Sequence, residues 1–161
     1  MGSGKTTIGA RLGRALGWPH RDSDADLQAT TGLSARDLAA RDGIPALHDL
    51  ELRHLLDSLA REEPSVISAA ASTIDEPEGR AALADPAVYV VFLRVDPMVA
   101  TTRVSKGDHR PSPEALTVQA TRRDPLFRAV ADREIDTGST RPGAVVRSLV
   151  DDLDVAAASG R

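Results

Sequence analysis

A parallel α/β sheet flanked by helices is the fold class this sequence predicts, on three observations. Short β-branched apolar runs alternate with amphipathic helical stretches, the pattern of strand–helix–strand units. The chain opens on Gly2-Ser3-Gly4-Lys5-Thr6-Thr7, the closing half of a phosphate-binding loop, G-x-x-x-x-G-K-[ST]. With 161 residues, no internal repeat and no interdomain linker, one domain is expected over about 1–153 with a frayed tail at 154–161.

Composition narrows the function. The net charge of −4 and the lack of a basic tract argue against a nucleic-acid partner. There is no cysteine, hence no disulfide framework, thiol catalysis or cysteine metal site. No apolar run approaches the ~18 residues of a membrane span, and no secretory signal is visible, so a cytoplasmic protein is expected. Aromatics are only 2% of residues, so the core must rest on Leu, Val, Ile and Ala.

The first helix is expected over Lys5 to Leu16. Ile8, Leu12 and Leu16 form one face, Gly9 and Gly13 a small-residue face suited to close packing on a sheet, and Gly17 the stop. Trp18 to Arg21 reads as a strand leading to Asp22-Ser23-Asp24, with Ser23 or Asp24 capping a helix from Ala25 to Thr31. Ser34 caps a helix from Ala35 to Arg41. A longer helix follows from about Pro45 to Ala60, with Leu52, Leu55, Leu56 and Leu59 as its stripe. Ser65 to Ser68 is a buried strand, followed by a helix from Pro77 to Leu83. Val88 to Leu93 is the clearest strand, and Asp96-Pro97 starts a helix through Val104. Ser105 to Pro113 reads as a mobile loop, Glu114 to Val130 as a helix, Ile135 to Thr137 as the last strand and Pro142 to Leu153 as the final helix.

The opening loop carries chemistry. Glycines let backbone N–H groups turn toward a phosphate, Lys5 brings a point charge to it, and the Thr6 hydroxyl can ligate Mg²⁺. The helix that follows points its positive end at the same anion. A flexible glycine-rich terminus is the alternative reading. The motif's first glycine would lie two positions upstream of Met1, and the strand that should feed the loop is absent. The expectation is that the native gene encodes about ten more Val/Ile-rich residues upstream, ending in that glycine.

The order of signals along nearly the whole chain resembles the shikimate kinase family of small P-loop kinases. After G-S-G-K-T-T come Ala15 to Gly17, the D-S-D of Asp22 to Asp24, the T-G-L-S of Thr31 to Ser34, Asp42-Gly43, Leu47 and Glu51. Then follow Arg110-Pro111, R-D-P-L-F from Arg123 to Phe127, Val130 to Asp132, Ile135 to Thr137, and Pro142 to Val146. The resemblance implies a P-loop NTPase three-layer fold with a parallel sheet in order 2-3-1-4-5, its first, central strand missing here. It implies ATP with Mg²⁺, a lid at about 105–113 and a monomer. Gly2, Ser3, Gly4, Lys5, Thr6 and Thr7 would hold the nucleotide, Lys5 neutralising the transferred phosphoryl group. Thr6 and Asp22 would serve the metal. Asp24 would position the acceptor hydroxyl, with a general-base role also open to it. Arg110 would be the lid arginine, Arg123 the partner of a substrate carboxylate, and Arg141 would line the adenine. A capped helix start is the plainer reading of Asp22 and Asp24, and a solvated arginine that of Arg110. His20, His54 and His109 read as surface or packing histidines.

Two departures fall on the acceptor side. His48 stands where the family carries a second carboxylate-clamping arginine. Losing one such charged pair costs about 1.5–3 kcal/mol of affinity. Ala70, Ala71 and Ser72 replace three glycines that let a sugar-like ring lie on the backbone, unless they are only a tight turn. Three readings stand: ATP-dependent phosphorylation of shikimate, the same chemistry on another small hydroxylated molecule, expected to be acidic, or nucleotide binding without catalysis.

Overall fold

The computed structural model describes residues 2–103 and 112–158. Helix α1 (Lys5–Leu16) closes on Gly17 in the left-handed region, as its sequence predicts. The chain continues through β1 (His20–Asp22), α2 (Ser23–Thr31), α3 (Ala35–Asp42), α4 (Ile44–Leu59) and β2 (Val66–Ser68). A 3-10 turn (Ala71–Asp75) leads into α5 (Pro77–Leu83), β3 (Val91–Arg94), α6 (Pro97–Arg103), α7 (Pro113–Val130), β4 (Arg133–Asp136) and α8 (Pro142–Ala158). Helix α8 therefore continues past Leu153, where it was expected to end, into the stretch expected as a frayed tail.

The strands form two parallel pairs, β1 on β2 and β3 on β4. This is the expected order on either side of a central position, with no ladder between β2 and β3. The strand expected from Val88 starts three residues later. Val90 donates its N–H to the Asp132 carboxylate at 2.8 Å and accepts from the Asp132 and Arg133 N–H groups, so its polar groups are used before the ladder begins.

Helices cover both faces, which strand periodicity explains. Val91 and Leu93 of β3, Val66 of β2 and Ile135 of β4 pack on a core of Ile8, Leu12, Val145, Val146 and Leu149 from α1 and α8. Phe92 points the other way and stacks on Phe127 of α7, ring centroids 4.9 Å apart. Helix α1 lies close to β1 and β2 because of its glycine face. A Cβ at Gly9 would come within 2.5 Å of His20 Nε2, and one at Gly13 within 2.8 Å of the Trp18 carbonyl. Between β2 and β3 runs a cleft of about 1480 Å³, lined by Lys5, Ile67, Ala70, Phe92 and Arg123 among others.

A second core joins α2, α3 and α4 through Leu27, Leu38 and Leu47. Helix α4 is rotated from its expected stripe. Its buried residues are Leu47, Glu51, Leu55 and Ser58, while Leu52, Leu56 and Leu59 are half-buried. A carboxylate thus lies on the inner face between two leucines. No helix among the described residues is long and apolar enough to cross a membrane.

Candidate active site

The entry to α1 forms the first part of the site. Gly2 and Gly4 have φ of 75° and 89°, a region glycine enters without a Cβ clash. A Cβ at Gly2 would meet the Ala100 carbonyl at 2.8 Å, so the loop lies hard against α6. Gly4 is the N-cap of α1 and offers no side-chain cap, and the first turn carries no acidic residue. The first-turn N–H groups and the positive end of the helix are left to an anion. Ser3 is buried, Lys5 half-exposed, and Thr6 and Thr7 exposed. The Ser68 hydroxyl donates to the Lys5 carbonyl at 3.2 Å and bonds His20 Nε2 at 2.9 Å, tying the loop to β1 and β2.

The D-S-D stretch follows at the C-terminal end of β1. The cap of α2 is Asp22, not Ser23 or Asp24. Its backbone is still extended, and its Oδ1 accepts from the Ala25 N–H at 3.2 Å. Its Oδ2 takes no hydrogen bond among the described residues. Ser23 is buried with a hydroxyl that finds no partner among the described residues, and Asp24 is exposed in the first turn of α2.

A polar cluster lies beside these carboxylates. The Ser72 hydroxyl donates to Glu51, and both side chains are buried. Burial pushes the Glu51 carboxyl up, and the nearby Asp24 charge adds to this. The Ser72 bond and the charges of His48 and Arg123 only partly offset it. Arg123 of α7 clamps Asp75, with Nε at 3.2 and 3.1 Å from the two carboxylate oxygens and Nη2 at 2.6 Å from Oδ2. Arg122 adds an outer contact to Oδ2 at 2.5 Å. Burial alone would raise the Asp75 carboxyl. The Arg123 bonds, with the charges of Arg123, Arg122 and His48, hold it below the ordinary range.

The three residues expected as the substrate floor have no left-handed backbone. Ala70 is extended and Ala71 enters the 3-10 turn, so the residues read as replacing the family's three glycines sit there without left-handed strain. Ser72 is turned to Glu51 rather than into the cleft that Ala70 and Ala71 line. Arg141 lies exposed at the entrance to α8, its carbonyl accepting from the Ala144 and Val145 N–H groups. Arg110, His109 and most of the expected lid at 105–113 lie outside the described residues. Helix α7 already starts at Pro113, capped by Ser112. Of the other histidines, His54 pairs with Asp26 at 2.8 Å. No motif singled out Asp75. Its one signal is an acid directly after the A-A-S-T-I stretch, in a chain with an Arg-Arg pair on a later helix.

Left-handed glycines at the mouth of a helix, a lysine and threonines beside them, and carboxylates at the end of the neighbouring parallel strand define a P-loop kinase, an ATP-using transferase. Comparison with known proteins agrees. A family model described as "Shikimate kinase" matches residues 1–154. A shikimate kinase of Mycobacterium tuberculosis is 34% identical over 160 residues, covering 96% of this chain and 89% of its own length. One from Caulobacter vibrioides is 34% identical over 156 residues, covering 93% and 76%. Among solved structures, shikimate kinase from Acinetobacter baumannii in complex with shikimate superposes with a TM-score of 0.86 at 24% identity, covering 95% of this chain and 88% of its own. That from Aquifex aeolicus gives 0.82 at 25%, covering 98% and 94%. The chain belongs to the shikimate kinase family.

Proposed function

We propose that this protein transfers the γ-phosphoryl group of ATP to a hydroxyl of a small molecule, with shikimate, giving shikimate 3-phosphate, as the first acceptor to test. The observation that carries this is the tie between the loop and the strand ends. Lys5 is held by Ser68 at the end of β2, and Asp22, paired in register with Ser68, ends β1 beside Asp24. Lys5 meets the outer phosphates and neutralises charge that spreads onto the transferred group. Asp24 accepts a hydrogen bond from the acceptor hydroxyl and orients it. The P–O bond to ADP breaks, the acceptor oxygen bonds to phosphorus, and the hydroxyl proton leaves toward Asp24 or water. The A. baumannii complex supports shikimate as a ligand of this fold. A cytoplasmic monomer belongs to the same reading.

The donor set fits Mg²⁺. Thr6 offers a hydroxyl and Asp22 a carboxylate oxygen unengaged among the described residues, both hard ligands. Among the described residues no cluster of His, Cys, Asp and Glu could hold a metal by itself. A cation that keeps several waters and relies on phosphate oxygens suits such a site. When bound it supplies charge neutralisation between the phosphates.

The test is ADP release with shikimate and a panel of hydroxy acids and polyols. Lys5→Met should lower turnover by roughly 10²–10³-fold, the usual cost of losing one transition-state charge partner, with an unchanged thermal melt. Equal turnover by the variant would reject the assignment. A second reading, a different hydroxylated acceptor, is favoured by His48 and by the methyl groups of Ala70 and Ala71.

A further inference from the structure

We propose that Asp75 sets acceptor specificity: its carboxylate occupies the face of Arg123 that an acceptor carboxylate would need, so the site selects hydroxylated acceptors that carry no carboxylate. This deepens the second reading above, a different hydroxylated acceptor, and rests on that acceptor lying beside Asp24, His48 and Arg123, as the family resemblance implies.

The geometry of the pair is that of a bound ligand. Asp75 takes the Nε and Nη2 edge of Arg123, the fork by which a guanidinium grips a carboxylate. The side chains are only 13% and 18% exposed, so their attraction is weakly screened and an incoming anion must displace a partner already in place. Asp75 is also anchored through its backbone. It ends the 3-10 turn, where Arg80 Nη1 donates to the Ile74 and Asp75 carbonyls at 2.8 and 2.9 Å. Outside, Arg122 holds the same carboxylate.

Charge leads to the same conclusion. Asp75 faces both Arg123 and Arg122, Arg122 is 64% exposed, and Glu51 lies within reach of the charges of Asp24 and Arg123. His48 lies near the same two carboxyl groups, Glu51 and Asp75. A further carboxylate would enter a cluster whose cations are already matched. An uncharged polyol meets no such penalty, because its hydroxyls can donate to the carboxylates and accept from Arg123 Nη1 or His48.

The test compares shikimate with its uncharged methyl ester. Binding is read by calorimetry in the presence of ADP and Mg²⁺, and turnover by ADP release. The wild-type protein should bind the ester at least as tightly as the acid. Asp75→Asn should tighten the acid about tenfold, the scale of one recovered charge-assisted contact, while the ester changes little. Arg122→Gln, which leaves the inner pair intact, should keep the wild-type acid-to-ester ratio. A wild-type preference for the acid of tenfold or more, an acid affinity unmoved by Asp75→Asn, or no binding of either ligand by either protein would overturn the proposal. The wild-type ratio alone decides the matter if Asp75→Asn does not fold. If the binding ratios behave as stated but ADP release is absent, the phosphoryl-transfer reading fails and this inference survives. If both ligands turn over with the acid preferred, the reverse holds.

Discussion

Glu51 is the residue whose surroundings most oppose its chemistry. It is a carboxylate on the buried face of α4, held by Ser72 and pushed toward its protonated form by burial. A carboxyl whose folded pKa lies above its unfolded value favours the native state at low pH. That contribution is lost as pH rises from the unfolded pKa through the raised folded one. Glu51→Gln removes the titrating charge and can still accept from Ser72. Urea midpoints of the variant should therefore lose less stability than wild type as pH rises from about 4 toward 7, and parallel curves would contradict this. Asp75 has the opposite sign. Its depressed pKa contributes stability above the unfolded value, lost as pH falls through the folded one. Asp75→Asn should flatten the acid limb of the same curve. The position of Lys5 at the start of α1 was legible in the sequence because Gly4 before it and the apolar period after it mark the helix start, whereas the capping of α2 by Asp22 was not. The Arg123–Asp75 pair was not, because it joins residues far apart in the chain through a turn whose path depends on tertiary contacts.

At the scale of elements, α1 shows how much a helix depends on what it lacks. Ala at Gly13 would gain about 1 kcal/mol of helix propensity, but its Cβ would stand 2.8 Å from the Trp18 carbonyl, an atom of the backbone. Overpacking against backbone outweighs propensity, so Gly13→Ala should lower stability by about 1–3 kcal/mol. Gly9→Ala meets side-chain atoms of His20 and Ser68, which can move. It should cost less, and break the His20–Ser68 bond. Urea denaturation of both variants checks the ranking, and a stabilised Gly13→Ala would refute the packing account. Helices with a plain start or stop signal could be read directly from the chain: Gly17 after α1, the Ser34 cap of α3 and Pro77 opening α5. The strand ends and the face of α4 could not. Val90 spends its backbone on Asp132, and Glu51 turns inward for a partner from another element.

Over the whole molecule, the two strand pairs are joined less by each other than by the layer of α1 and α8, against which β2, β3 and β4 all rest. Leu149, 2% exposed, stands in that layer. Leu149→Ala should cost about 2–5 kcal/mol and weaken amide-exchange protection in both pairs together. Loss confined to one pair would show that the layer does not couple them. The alternation of strands and helices made the parallel architecture visible in advance, and the separation of the sheet into halves agrees with the strand order the family likeness implied.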